Sequence, residues 1–138
     1  MGSAPELVVE VERRIAAPPE EVFAFFTDPA RYIRWQGMSA ELDPTPGGLY
    51  RVQMTADSAV RGSYVEVSPP VRVVFTWGWE GNPELPPGSS TVEITLRNDG
   101  GETVLHLRHS GLPDEQSAAM HNEGWLFFTE RLDEAVRT

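Results

Sequence analysis

The side chains in this 138-residue chain best placed to do chemistry are two histidines, His109 and His121, with the tyrosines Tyr50 and Tyr64. His109 ends the alternating run Leu105-His106-Leu107-Arg108-His109 on the side that carries the leucines. His121 shares the apolar stripe of the C-terminal segment with Trp125, Phe128 and Leu132. Two imidazoles meeting at the mouth of a cavity beside Tyr64 or Tyr50 make an acid/base set suited to enolising or dehydrating a ketone-rich substrate. An imidazole near its ordinary pKa both takes and gives protons. The same residues also have a structural reading, in which His109 caps a helix or bonds a backbone carbonyl and His121 sits partly exposed.

Other chemistries are excluded by residues the chain lacks. Without cysteine there are no disulfides, thiolate nucleophiles or thiolate metal sites. All 11 basic residues are arginine, so no side chain forms a Schiff base, which excludes pyridoxal enzymes and lysine aldolases. Two histidines without a placed carboxylate offer too few metal ligands, and no H-E-x-x-H spacing occurs. No G-x-S-x-G elbow exists, and Ser110 points away from its strand neighbour His109. Gly47-Gly48 and Gly100-Gly101 fall in hairpin turns with no lysine or helix after them, so no phosphate loop and no nucleotide cofactor is indicated. Neither a metal nor a cofactor is therefore expected. Arg13, Arg51 and Glu66 are read as a buried polar group or as a grip on an acidic ligand.

The formal net charge of -10 repels phosphate backbones and anionic headgroups, so nucleic acid and membrane surfaces are not expected partners. No segment approaches the roughly 20 apolar residues of a membrane span. Met1 to Glu6 lacks the basic patch and apolar run of a secretory signal, and Glu6 departs from the myristoylation pattern. A cytoplasmic protein of one domain, residues 1–138, is the expectation.

The elements that must position these residues follow from periodicity. Leu7 to Ile15 alternates as a half-buried strand, with Arg13 on its apolar side. Pro18 and Pro19, followed by Glu20 and Glu21, open a helix buried through Val22, Phe23, Phe25 and Phe26. Thr27-Asp28-Pro29 then caps a short second helix carrying Tyr32, Ile33 and Trp35. Strands are predicted over Met38 to Leu42, Leu49 to Ala56, Val60 to Val67, Val71 to Trp79, Ser90 to Arg97 and Thr103 to Ser110, with Gly62 marking a bulge or close backbone approach. Glu80 to Ser89 is a loop. Asp114 to Arg137 is a long helix, whose Gly124 costs about 1 kcal/mol relative to alanine and so makes room for a strand or a ligand.

Ile15-Ala16-Ala17-Pro18-Pro19-Glu20-Glu21-Val22, Phe26-Thr27-Asp28-Pro29 with Trp35, Gly47-Gly48-Leu49-Tyr50-Arg51, Gly62 to Pro70, Phe75-Thr76-Trp77, Thr103-Val104-Leu105, His109-Ser110-Gly111-Leu112 and Gly124-Trp125 form an ordered set. Over about Val9 to Val136 it resembles the bacterial homologues of the Hsp90 ATPase activator, within the START-like (SRPBCC) superfamily. That superfamily also holds polyketide cyclases, plant pathogenesis-related allergens and lipid-transfer domains. The resemblance implies an α+β helix-grip fold: a seven-stranded curved antiparallel sheet wrapped round a long C-terminal helix, with two short helices after the first strand and a cavity between sheet and helix.

Such a cavity is expected to be lined by Tyr50, Val52, Met54, Tyr64 (if Gly62 shifts the register), Trp77, Trp79, His109, His121, Trp125 and Phe128, with Trp35 and Met38 closing one end. Three functions are open. The first is binding of a small, mostly apolar ligand, aromatic or polyketide-like. The second is a cyclase- or hydrolase-like enzyme using His109, His121 and Tyr64. The third is a chaperone-interacting module, for which the outward positions Glu10, Glu12, Arg14, Glu93, Arg97 and Arg108 are charged where an apolar patch is needed. Pairing at the sheet edge also allows a homodimer.

Overall fold

In the computed structural model, which describes residues 7–138, the chain runs β1 (Val9–Ile15), α1 (Pro19–Thr27), α2 (Pro29–Tyr32), β2 (Ser39–Leu42), β3 (Leu49–Thr55), β4 (Ser58–Ser68), β5 (Arg72–Trp77), β6 (Ser90–Asp99), β7 (Glu102–Ser110) and α3 (Glu115–Arg137). The reading of Met1 to Glu6 lies outside the described residues. One antiparallel sheet holds all seven strands in the order β1-β7-β6-β5-β4-β3-β2.

Register decides which side chains meet the helix. His109 stands opposite Val9 on β1 and Val92 on β6, and Leu107 stands opposite Val11 and Ile94. This places His109 on the buried face. On the other half of the sheet Tyr50 faces Gly62 and Val52 faces Val60. The shift expected at Gly62 does not occur there: Val60, Gly62 and Tyr64 share the inner face, and the irregularity falls between Tyr64 and Glu66. Gly62 instead allows a close backbone approach, since a Cβ there would stand 2.0 Å from the Thr76 carbonyl oxygen.

The outer face is a lattice of cross-strand ion pairs. Arg72 bonds Glu93 at 2.7 Å and Glu66 at 3.1 Å, Arg108 bonds Glu93 at 3.1 Å, and Arg51 bonds Glu80 at 2.9 Å. Arg13, Arg51 and Glu66 therefore do not assemble, because strand alternation turns Arg51 and Glu66 outward and Arg13 inward. Among the described residues Arg13 finds no carboxylate. Its Nε donates to Thr129 Oγ1 at 2.9 Å and its Nη2 to the Leu126 carbonyl at 3.1 Å, tying β1 to the middle of α3.

Asp114 caps α3 by accepting from the Ser117 amide at 2.7 Å, and Arg34 closes the other end by donating to the Ala135 carbonyl at 2.8 Å. The stripe facing the sheet is His121, Trp125, Thr129, Leu132 and Ala135. Thr129 takes the central place expected of Phe128 because its hydroxyl is doubly engaged, accepting from Arg13 and donating to the Trp125 carbonyl at 2.7 Å. Phe128 is displaced to the flank and half-buried. The helix packs along β1. On its other side it stands off the β3–β4 hairpin, and a cleft opens there.

Candidate functional site

The cleft has a volume of about 290 Å³ and is walled on three sides. Trp77 and Trp79 supply the sheet wall at the end of β5. Met54, Thr55 and Ser58 come from the β3–β4 turn. Met120, His121, Gly124, Trp125 and Phe128 come from two turns of α3, and Gln36 reaches in from the segment after α2. Most of this surface is apolar. Gly124 has a defined part in it: a Cβ built there meets nothing within 4 Å, so no neighbouring strand requires the glycine. Its missing side chain widens the cleft.

Behind this wall lies a network of indoles and imidazoles. Trp125 Nε1 donates to His109 Nδ1 at 3.0 Å, while Trp77 and Trp79 both donate to His121 Nε2, at 3.3 and 3.2 Å. The hydrogen bonds fix both tautomers. Ser90 gives its single hydroxyl proton to the Trp77 carbonyl at 2.7 Å, so the 2.9 Å contact to His109 Nε2 has the imidazole as donor. His121 donates from Nδ1 to the Ser117 carbonyl at 2.8 Å, leaving Nε2 to receive the two indoles. The rings of His109 and His121 lie 5.0 Å apart, centre to centre. Burial, aided by the nearby His121, pushes the His109 pKa down to about 3. Burial also lowers His121, against the opposing pull of the Ser117 carbonyl. Both are neutral at physiological pH.

The structure brings Met54, Trp77, Trp79, His121, Trp125 and Phe128 together around the cleft, with His109 directly behind Trp125. Tyr50, Val52, Tyr64 and Trp35 lie elsewhere, in a filled core. Tyr50 stacks on Phe75 with ring centres 4.0 Å apart, Tyr64 donates to the Phe26 carbonyl at 2.9 Å, and Trp35 donates to the Phe25 carbonyl at 3.0 Å. Burial raises the pKa of both Tyr50 and Tyr64, which keeps their phenols protonated. Tyr64 is thus a core hydrogen-bond donor and not a neighbour of the histidines. Met38 is 62% exposed and does not line the cleft: it precedes β2, joins the sheet edge through its backbone amide to the Gln53 carbonyl, and leaves its side chain in solvent. Gln36, Thr55, Ser58 and Met120 are lining residues that the sequence reading missed. For Gln36 a signal existed in its spacing of four from Tyr32, which one further turn of chain after α2 brings together, with the Gln36 amide donating to the Tyr32 carbonyl at 3.1 Å. Among the described residues no cluster of three or more His, Asp or Glu side chains could hold a metal ion, and no helix is long and apolar enough to cross a membrane.

A curved antiparallel sheet gripping a C-terminal helix, with a mostly apolar cleft between them, defines a helix-grip protein of the START-like kind. The chain belongs to the family described as Activator of Hsp90 ATPase homolog 1-like protein, which matches residues 16–137. No curated protein matches it. Among solved structures it is similar to an AHSA1-like protein of Rhizobium etli, 47% identical over 99% of this chain and 86% of that one, with a TM-score of 0.77. It is also similar to a Mesorhizobium loti protein, 25% identical over 94% of this chain and 96% of that one, TM-score 0.83. A third likeness is to DynU16, a protein in the dynemicin biosynthetic locus, at 27% identity and TM-score 0.85, covering 97% of this chain and 48% of that one.

Proposed function

We propose that this chain binds a small, mostly apolar ligand with an aromatic or polyketide-like ring system in the cleft between sheet and α3. The observation that carries this reading is Gly124, a mid-helix glycine with open space where its side chain would be, on a wall shared with Trp77, Trp125 and Phe128. A helix interior that forgoes about 1 kcal/mol without a packing reason is consistent with selection for space. The likeness to a protein in the dynemicin biosynthetic locus adds support for a small-molecule ligand. Native mass spectrometry of the purified protein tests it by looking for a co-purifying small molecule. Thermal-shift screening with bicyclic aromatics follows, where a ligand at 100 times its dissociation constant adds about 2.7 kcal/mol. No stabilisation by any such compound at millimolar concentration defeats the reading.

A second reading, contact with a chaperone, draws on the family description and on Met120, Leu126 and Phe127, which give α3 a group of exposed apolar side chains. Titration of purified Hsp90 into isotope-labelled protein tests it. Loss of α3 signals that Phe127→Glu abolishes supports this reading, and unchanged spectra refute it.

A further inference from the structure

Gln36 is 2% exposed and lines the cleft. Its Oε1 accepts from the Tyr32 hydroxyl at 2.6 Å. The Tyr32 proton is committed to that bond, so in the contact between the Tyr32 and Tyr50 hydroxyls Tyr50 is the donor. A directed chain from Tyr50 through Tyr32 to Gln36 therefore sets which end of the amide is held by protein. The other end, Nε2 with its two protons, meets no acceptor among the described residues. Yet no buried side-chain nitrogen or oxygen in them lacks a partner, so Nε2 is not sealed off. It keeps access to the cleft that Gln36 lines.

The remaining polar atoms of the cleft are otherwise engaged. The indoles of Trp77 and Trp79 are tied to His121, and the Thr55 and Ser58 hydroxyls bond each other at 2.7 Å. Met54, Trp125 and Phe128 present no acceptor to Gln36. A two-proton donor is thus left unmatched in a mostly apolar wall, where a ligand lacking an acceptor forfeits its hydrogen bonds. Polarisation along the hydroxyl chain strengthens the donor. Among the described residues no arginine lines the cleft, so a carboxylate brought there loses hydration without a cation to offset it.

We infer that Gln36 is the specificity-determining residue of the cleft and that its ligand carries a neutral carbonyl oxygen, as in a ketone or quinone, on an apolar ring system. The inference rests on the ligand-binding reading above and narrows it.

The test uses two probes that differ in one oxygen, 1-tetralone and tetralin, titrated into isotope-labelled full-length protein. Both are expected to shift the amide signals of Gly124 and Trp125. 1-Tetralone binds about three- to tenfold more tightly, the worth of one net hydrogen bond, and it alone moves the Gln36 side-chain amide signals. Gln36→Met is expected to equalise the two affinities by weakening 1-tetralone only. Gln36→Leu, which likewise carries no donor, does the same. Equal affinities in the unmodified protein, with Gly124 and Trp125 still shifting, overturn this inference and leave ligand binding intact. If neither probe shifts those signals at millimolar concentration, the cleft fails as a ligand site and this inference fails with it.

Discussion

Replacing Gly124 with alanine is expected to stabilise the protein while narrowing its cleft. Glycine in a helix interior is about 0.8–1.0 kcal/mol less favourable than alanine. The usual reason for keeping it, a neighbour that a methyl would strike, is missing, because the Cβ position has nothing within 4 Å. Nor does the backbone require it, since Gly124 is not among the glycines with positive φ. The whole difference of about 1 kcal/mol should therefore appear in stability, which for a domain of this size raises Tm by roughly 3–5 °C. In denaturant the midpoint should rise while the slope stays fixed.

The same position sets a cost in binding. A Gly124→Leu side chain extends into the 290 Å³ cleft and displaces three or four ligand carbons. At about 0.8 kcal/mol per buried methylene this removes roughly 2–3 kcal/mol, a loss on the order of 30- to 150-fold in affinity. Calorimetric melts of both variants, with 1-tetralone titrations of Gly124→Leu, measure the two effects. A Gly124→Ala protein that melts lower than its parent refutes the argument that the glycine leaves space unfilled. A Gly124→Leu protein of unchanged affinity refutes the placement of the ligand.

The histidines predict an acid-labile fold. An unfolded histidine protonates near 6.5 but folded His109 only at about 3, so the unfolded state binds the extra proton as pH falls and stability is lost. Between pH 6.5 and 5, above the range where carboxylates titrate, His109 should account for about 2 kcal/mol of lost stability, with His121 adding to it; denaturant titrations at several pH values measure the loss, and His109→Gln should flatten the curve. Trp125→Phe removes the donor to His109 Nδ1 and part of a packed ring, and chemical denaturation should show a cost of roughly 2–4 kcal/mol, whereas a cost under 1 kcal/mol would contradict the network. Glu93→Gln weakens the pairs to Arg72 and Arg108 on the outer face and should cost no more than about 1 kcal/mol, shrinking further in 1 M salt.

The fold was legible because its signals are local. The alternation of β1, β6 and β7, the acidic first turn after Pro19, the Asp28 cap and the four-residue spacing from His121 to Trp125 each follow from a few neighbouring residues. The cleft was legible in part. Trp77, Trp79, His121 and Trp125 sit where periodicity puts them, and Gly124 was conspicuous as a helix-breaking residue. What local pattern could not give is where the gap falls between layers. Tyr50 and Tyr64 alternate inward as faithfully as Trp77 does, yet they meet α1 and α2 and are filled in, while Trp77 lies where α3 stands off the hairpin. Met38 was misplaced because it falls just before β2, where its backbone joins the sheet edge and its side chain stays in solvent. Thr129 shows that a hydroxyl can take a core position when an arginine from another element reaches it, a pairing separated by 116 residues.

Two imidazoles 5.0 Å apart in a buried pocket invite a catalytic reading, but the bonds they make argue for a different task. A general base needs a nitrogen whose lone pair is idle until substrate arrives. His109 Nδ1 and His121 Nε2 already receive indole protons, and each remaining nitrogen has given its own proton to Ser90 or to the Ser117 carbonyl. To accept a further proton His121 must surrender two indoles at once, and His109 must surrender Trp125. What the network does instead is orient three tryptophans, each of whose N–H groups would otherwise need water in an apolar wall. The imidazoles hold the aromatic surfaces of the cleft in place while keeping its polar inventory low. In such a site the unmatched amide of Gln36 stands out against its surroundings, which is the condition under which a single hydrogen bond can select a ligand.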